Sequence, residues 1–205
     1  MNRRLRGLYA ITDGTLLSDE QLLTSVEQVI NGGAQIIQYR DKSANQPRRL
    51  QQAQQLLELC RRHGVTFIIN DDVALAAAIG ADGVHLGRDD GDIASARRAL
   101  EDGVIGVSCY NQWPLAEAAV VAGADYIAFG AFFPSATKPN AVRAAPELLQ
   151  RSRRELTVPV VAIGGITPEN GRELIEAGAD MLAVVQGVFA QPDIHTAARR
   201  YAALF

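Results

Sequence analysis

The sequence predicts a (β/α)8 (TIM) barrel of the α/β class, formed as a single domain over residues 1–205. Three observations lead there. Short β-rich apolar runs recur at near-regular intervals, helix-patterned segments lie between them, and a glycine-led tripeptide stands just ahead of several runs. Strands alternating with helices imply right-handed βαβ crossovers and a parallel sheet covered on both faces. Eight such units with no linker-like stretch fit one closed barrel better than two domains.

Taken in order, the first run is LYAIT (8–12), followed by a helical pattern over 21–30 whose start has the capping-box spacing of Ser18 and Gln21. IIQYR (36–40) precedes a helix over 50–62, TFIIN (66–70) one over 74–79, and GVHLG (83–87) one over 93–100. VIGVS (104–108) leads to a helix over 115–121 and YIAFG (126–130) to one over 147–156. VPVVAIGG (158–165) leads to 172–177, where Thr167-Pro168 offers a cap followed by a proline at the first helical position. MLAVVQG (181–187) and a last helix near 196–204 complete the series.

The near-repeat reads Gly32-Gly33-Ala34, Gly80-Ala81-Asp82, Gly123-Ala124-Asp125 and Gly178-Ala179-Asp180. A glycine there can adopt the left-handed conformation that ends a helix before the chain re-enters the sheet. One βα unit has thus been used several times. A doubly wound open sheet is the alternative, weakened because no GxGxxG follows the first strand.

The chain has 205 residues, 48% of them hydrophobic and 21% charged, with a formal net charge of -3. Mild acidity with scattered basic residues argues against a general nucleic-acid or anionic-membrane partner, while leaving room for a local cationic pocket. The segment MNRRLRGLYAIT lacks the apolar core and cleavage site of a secretory signal, and no run reaches the length of a membrane span. Cys60 and Cys109 lie in separate elements without metal-like spacing, which suits reduced, structural thiols and a cytoplasmic protein.

In such barrels the site forms at the C-terminal ends of the strands, so the residues there carry the functional reading. Along QYRDK side chains alternate, placing Gln38, Arg40 and Lys42 on one face and Tyr39 and Asp41 on the other. An amide and two cations on one face imply an anion opposite. Strand three ends in Asn70-Asp71-Asp72, strand four leads to Asp89-Asp90, strand five ends in Ser108, and strand six leads to Ser135-Ala136-Thr137-Lys138. Gly164-Gly165 after strand seven, with helix-start amides after strand eight at Val185 and Gln186, is a place where barrels hold phosphate.

Carboxylates beside cations suit a diphosphate with its metal, because Mg2+ takes one or two carboxylates plus phosphate oxygens while Arg or Lys neutralises the rest. Asp71 and Asp90 are the candidate ligands; Asp72 and Asp89 read instead as caps of the helices that follow. His85, alone in its strand, reads as a hydrogen-bonded core residue, and His63 and His195 as surface helix residues. No Ser/His/Asp constellation is visible.

QYRDK, FIINDD, ADGVHLGRDD, IGVS, FFPSATKP, VPVVAIGGIT and AGADMLAVV, in this order over nearly the whole chain, resemble the thiamine phosphate synthase family. The resemblance implies a transferase of thiamine biosynthesis. Such an enzyme joins 4-amino-2-methyl-5-(diphosphooxymethyl)pyrimidine to a thiazole phosphate, plain or carboxylated, with release of diphosphate. Carried over by position, Gln38, Tyr39, Arg40, Asp41, Lys42, Asn70, Ser108 and Lys138 would bind the pyrimidine diphosphate, with Arg40, Lys42, Ser108 and Lys138 catalytic. Asp71 and Asp90 would hold Mg2+, and Ser135, Ala136, Thr137, Gly165, Val185 and Gln186 the thiazole phosphate.

Two positions depart from the family's usual pattern: Gln186, where serine is frequent, and Cys109-Tyr110-Asn111 after strand five, where a small residue and a histidine are frequent. The related thiazole tautomerase relies on that histidine, so coupling is the favoured reading. A phosphosugar isomerase or a non-catalytic phosphate-ligand sensor are the remaining alternatives. The implied partners are small-molecule substrates, with no nucleic acid or membrane; a homodimer is left open. The stretch 134–143 is the candidate lid.

Overall fold

The computed structural model describes residues 5–134 and 142–205. Eight parallel strands close on themselves in sequence order, β1 pairing with both β2 and β8. They are β1 Gly7–Ile11, β2 Ile36–Tyr39, β3 Thr66–Asn70, β4 Gly83–Leu86, β5 Val104–Tyr110, β6 Tyr126–Gly130, β7 Val160–Ile163 and β8 Met181–Val184. Around them run α1 Asp19–Asn31, α2 Gln46–His63, α3 Val73–Ile79, α4 Ile93–Leu100, α5 Trp113–Val121, α6 Glu147–Glu155, α7 Gly171–Ala177, α8 Gln186–Phe189 and α9 Ile194–Ala202. The expected (β/α)8 barrel is therefore the observed fold.

Two apolar layers hold it together. Tyr9, Ile36, Ile68, Tyr126, Val161 and Met181 fill the barrel, while alternate residues such as Leu8, Ile37, Phe67 and Ile127 face the helices. Each fully buried aliphatic side chain of the second layer contributes about 1.5–3 kcal/mol. Strand sequences therefore read as continuous apolar runs, as sheets covered on both faces require.

The aspartates of the repeat have a common structural task. The Phe67 N–H donates to Asp82 Oδ2 (2.8 Å), that of Ile105 to Asp125 Oδ2 (2.8 Å), and that of Val160 to Asp180 Oδ2 (2.9 Å). Each carboxylate entering one strand satisfies an amide at the start of the strand before it. The preceding glycine does what the sequence implies at Gly80, which caps α3 with φ 65°.

Several boundaries differ from expectation, three of them near the site. The seventh and eighth strands stop at Ile163 and Val184, because Gly164 turns with φ 104° and Val185 leaves extended geometry to open the short helix α8. Thr167 does not cap a helix starting at Pro168; Thr167 and Asn170 bond reciprocally through a turn (2.8 and 3.4 Å) and α7 is entered at Gly171. The capping box of Ser18 and Gln21 forms as expected.

Candidate active site

The end of β2 sorts its side chains as alternation dictates. Gln38 and Arg40 line a cavity of about 380 Å³ at the C-terminal mouth of the barrel. Tyr39 and Asp41 turn out toward α2, where the Tyr39 hydroxyl donates to Gln52 Oε1 (2.7 Å) and Arg48 Nη2 donates to Asp41 Oδ2 (2.7 Å). Burial opposes ionisation of Asp41, yet the Ser43 N–H and the Arg48 guanidinium outweigh it and hold the carboxyl below its ordinary range. Arg40 is steadied at two points: its N–H donates to Thr12 Oγ1 (2.9 Å) and its Nη1 to Asp13 Oδ2 (3.3 Å).

Beside the cavity lies a cleft bordered by Lys42, Asn70, Asp71 and Asp90, and Asn70 borders both. Asp71 sits in left-handed backbone geometry (φ 64°), accepts a hydrogen bond from Asn70 Nδ2 (2.6 Å) and is ion-paired to Lys42. An aspartate tolerates that conformation better than most residues, at a cost of order 1–3 kcal/mol. Asp90 Oδ2 accepts from the Gly87 N–H (2.9 Å). Burial, and then the hydrogen bond and charge of Asp71, raise the Asp90 carboxyl above its ordinary range. The two candidate metal ligands are thus neighbours.

Asp72 caps α3, accepting from the Leu75 N–H (2.9 Å), and is also paired with Arg49. Asp89 caps nothing. The helix α4 starts further along and is capped by Asp92, which accepts from the Ser95 N–H (2.8 Å).

On the inner wall, His85 of β4 is hydrogen-bonded at both ring nitrogens, to the Tyr126 hydroxyl (2.9 Å) and to Ser108 Oγ (2.9 Å). It is the satisfied histidine expected, but it lines the cavity with Ser108 rather than being sealed in a core. Opposite, Gly164, Gly165, Val185 and Gln186 line the same cavity. A Cβ on Gly165 would lie 2.2 Å from the Pro134 carbonyl oxygen, and its φ of 60° favours glycine, so the bare backbone faces the cavity for steric reasons. Ser135, Ala136, Thr137 and Lys138 lie outside the described residues, as does most of the candidate lid.

Sequence reading overlooked Tyr9, Asp13, Tyr110 and Tyr126. Tyr9 and Tyr126 had a usable signal, since inward parity in LYAIT and YIAFG puts a polar tip inside the barrel. For Asp13 there was none, as its tie to Arg40 spans 27 positions. Tyr110 shares the parity of Ser108 and lines the cavity with it, whereas the register shift between them in β5 is invisible in the sequence.

Fold and site together define a (β/α)8-barrel enzyme with a charged mouth. The family model described as thiamine monophosphate synthase matches residues 8–188. A thiamine-phosphate synthase of Thioalkalivibrio sulfidiphilus is 54% identical over 203 residues, covering 98% of this chain and 96% of that protein. One from Azoarcus sp. is 56% identical over the whole of both chains. The solved thiamine phosphate pyrophosphorylase of Pyrococcus furiosus superposes with a TM-score of 0.89 at 34% identity, covering 98% of this chain and 96% of that one. The chain belongs to the thiamine monophosphate synthase family, whose members are transferases. Among the described residues no helix is long and apolar enough to cross a membrane.

Proposed function

We propose that the protein joins 4-amino-2-methyl-5-(diphosphooxymethyl)pyrimidine to a thiazole phosphate and expels diphosphate. The observation that carries this reading is the meeting at Asn70 of a cavity containing Arg40 with a cleft containing Lys42, Asp71 and Asp90. A heterocycle seated in the cavity would extend its diphosphate over Asn70 into that cleft.

The residues present fit Mg2+ held jointly with substrate. Asp71 and Asp90 supply two adjacent carboxylates, and among the described residues no group of three or more His, Cys, Asp or Glu could hold a metal without help. Mg2+ commonly completes its shell with phosphate oxygens and water. When bound, the ion supplies positive charge to the leaving diphosphate. Lys42, exposed on the same cleft, would add a further cation toward the phosphate.

The reaction needs no protein nucleophile. The CH2–O bond breaks with its electron pair leaving on diphosphate, and the ring amino group donates density to the aminopyrimidine methyl cation left behind. The thiazole nitrogen then forms the new C–N bond. Arg40, Lys42 and Lys138 stabilise the departing charge, and Ser108 and Asn70 donate hydrogen bonds to it. The backbone at Gly165, Val185 and Gln186, with Ser135, Ala136 and Thr137, would hold the thiazole phosphate. Catalysis is then positioning plus preorganised electrostatics.

The test is thiamine phosphate formation by purified protein given both substrates and Mg2+, repeated with chelator. Product that depends on Mg2+ supports the reading. Binding of both ligands without diphosphate release would instead describe a sensor, and isomerisation of the thiazole alone a tautomerase.

A further inference from the structure

Five side chains from five strands form one hydrogen-bonded chain across the barrel. Gln38 Nε2 donates to the Tyr9 hydroxyl (2.6 Å), which lies 2.8 Å from the Tyr126 hydroxyl. That hydroxyl lies 2.9 Å from His85 Nδ1, and His85 Nε2 lies 2.9 Å from Ser108 Oγ. The terminal members, Gln38 and Ser108, both line the cavity, whereas Tyr126 is fully buried.

Each hydroxyl owns one proton, and a neutral imidazole has one donor and one acceptor, so when every proton of the chain, the buried one of Tyr126 included, is given an acceptor within it, the donors all run the same way. With Gln38 donating, Tyr9 donates to Tyr126 and Tyr126 to Nδ1. The imidazole proton then sits on Nε2 and points at Ser108, whose own proton turns to the cavity. Reversal inverts every link: Gln38 offers its amide hydrogens to the cavity, the imidazole proton moves to Nδ1, and Ser108 donates inward. Burial raises both tyrosines well above their ordinary range, so neither breaks the chain by ionising.

We propose that this chain is a polarity relay in which an anion accepting from Ser108 makes Gln38 present its carbonyl oxygen, selecting an amino-bearing heterocycle over its oxo counterpart. The inference rests on the reading that diphosphate meets Ser108 and the pyrimidine meets Gln38. In it Tyr9, Tyr126 and His85 are positioning residues; they act on the substrate through the two ends of the chain.

Two measurements test it. In 15N NMR of the wild-type protein saturated with inorganic diphosphate, the His85 proton is expected on Nε2; a proton on Nδ1 would overturn the relay whether or not the protein makes thiamine phosphate. In turnover with the 4-amino and 4-oxo pyrimidine diphosphates, Tyr126→Phe cuts the chain at its middle without touching either terminal residue. The kcat/KM preference for the amino substrate should narrow by about tenfold or more, since an unpaired polar group no longer penalises the wrong ring. An undiminished preference in an active Tyr126→Phe overturns the proposal. No thiamine phosphate from the wild-type protein defeats the functional reading instead.

Discussion

The ring of Tyr126 occupies the space a side chain at position 106 would need: a Cβ on Gly106 would lie 1.9 Å from Tyr126 Cζ, across the β5–β6 pairing that sets the two residues side by side. Gly106 is therefore there to let a large aromatic lie flat inside the barrel and hold its hydroxyl between Tyr9 and His85.

Gly106→Ala should displace that ring. Overpacking of this kind costs about 1–3 kcal/mol, which for a chain of this size lowers Tm by roughly 2–4 °C per kcal/mol. Thermal denaturation with a parallel activity assay checks it, and an unchanged Tm would show that the ring is not confined as described.

Lys42→Ala removes a cation from the cleft and leaves Asp71 without its ion-pair partner. Because Lys42 is largely exposed, stability should hardly change, whereas kcat/KM for the pyrimidine diphosphate should fall about 10²–10³-fold, as for loss of one preorganised group at developing negative charge. Lys138→Ala should lower kcat by a similar factor with modest effect on Tm. Steady-state kinetics of both variants decides whether these lysines face the leaving group.

Asp90→Asn should raise the Mg2+ concentration needed for half-maximal rate while leaving the fold intact. Burial and Asp71 raise the Asp90 carboxyl, so protons compete with the metal at higher pH than for an ordinary aspartate. In the wild-type protein the Mg2+ requirement should therefore climb as pH falls through the acidic range, and that slope should flatten in Asp90→Asn. Mg2+ titrations at several pH values read this directly; identical curves for both proteins would remove Asp90 from the metal site.

Burial pushes the Cys60 and Cys109 thiols from an ordinary value of 9.0 up to about 12. A thiol reagent at pH 8 should label neither in the native protein and both in denaturant. The folded state holds these protons more tightly than the unfolded one, so their contribution to stability is complete below the ordinary thiol range and is lost as pH rises through about 12. Rapid native labelling would contradict the burial of both side chains.

Much of this molecule is legible in its sequence because much of it is local. Alternation along QYRDK separates Gln38 and Arg40 from Tyr39 and Asp41 in any strand, and TFIIN puts Asn70 at the mouth once the strand ends there. The glycine-led repeats place strand starts by helix-ending geometry alone. Yet the same parity cannot say what stands opposite. Tyr39 and Asp41 fall in the implied pyrimidine-binding set; their side chains meet Gln52 and Arg48 of α2, and Asp41 also borders the cleft of Lys42, Asp71 and Asp90.

What the sequence determined by itself is the succession of eight strand-helix units and the face on which each polar side chain emerges, since both follow from backbone periods of a few residues. Closure of the barrel decided the rest. It brought Tyr9 within 2.8 Å of Tyr126, 117 positions away, set Asp13 against Arg40, and lodged Asp71 beside Asp90. Such meetings depend on how strands tilt and stagger around a ring, a property of the assembled sheet that no short stretch of chain contains.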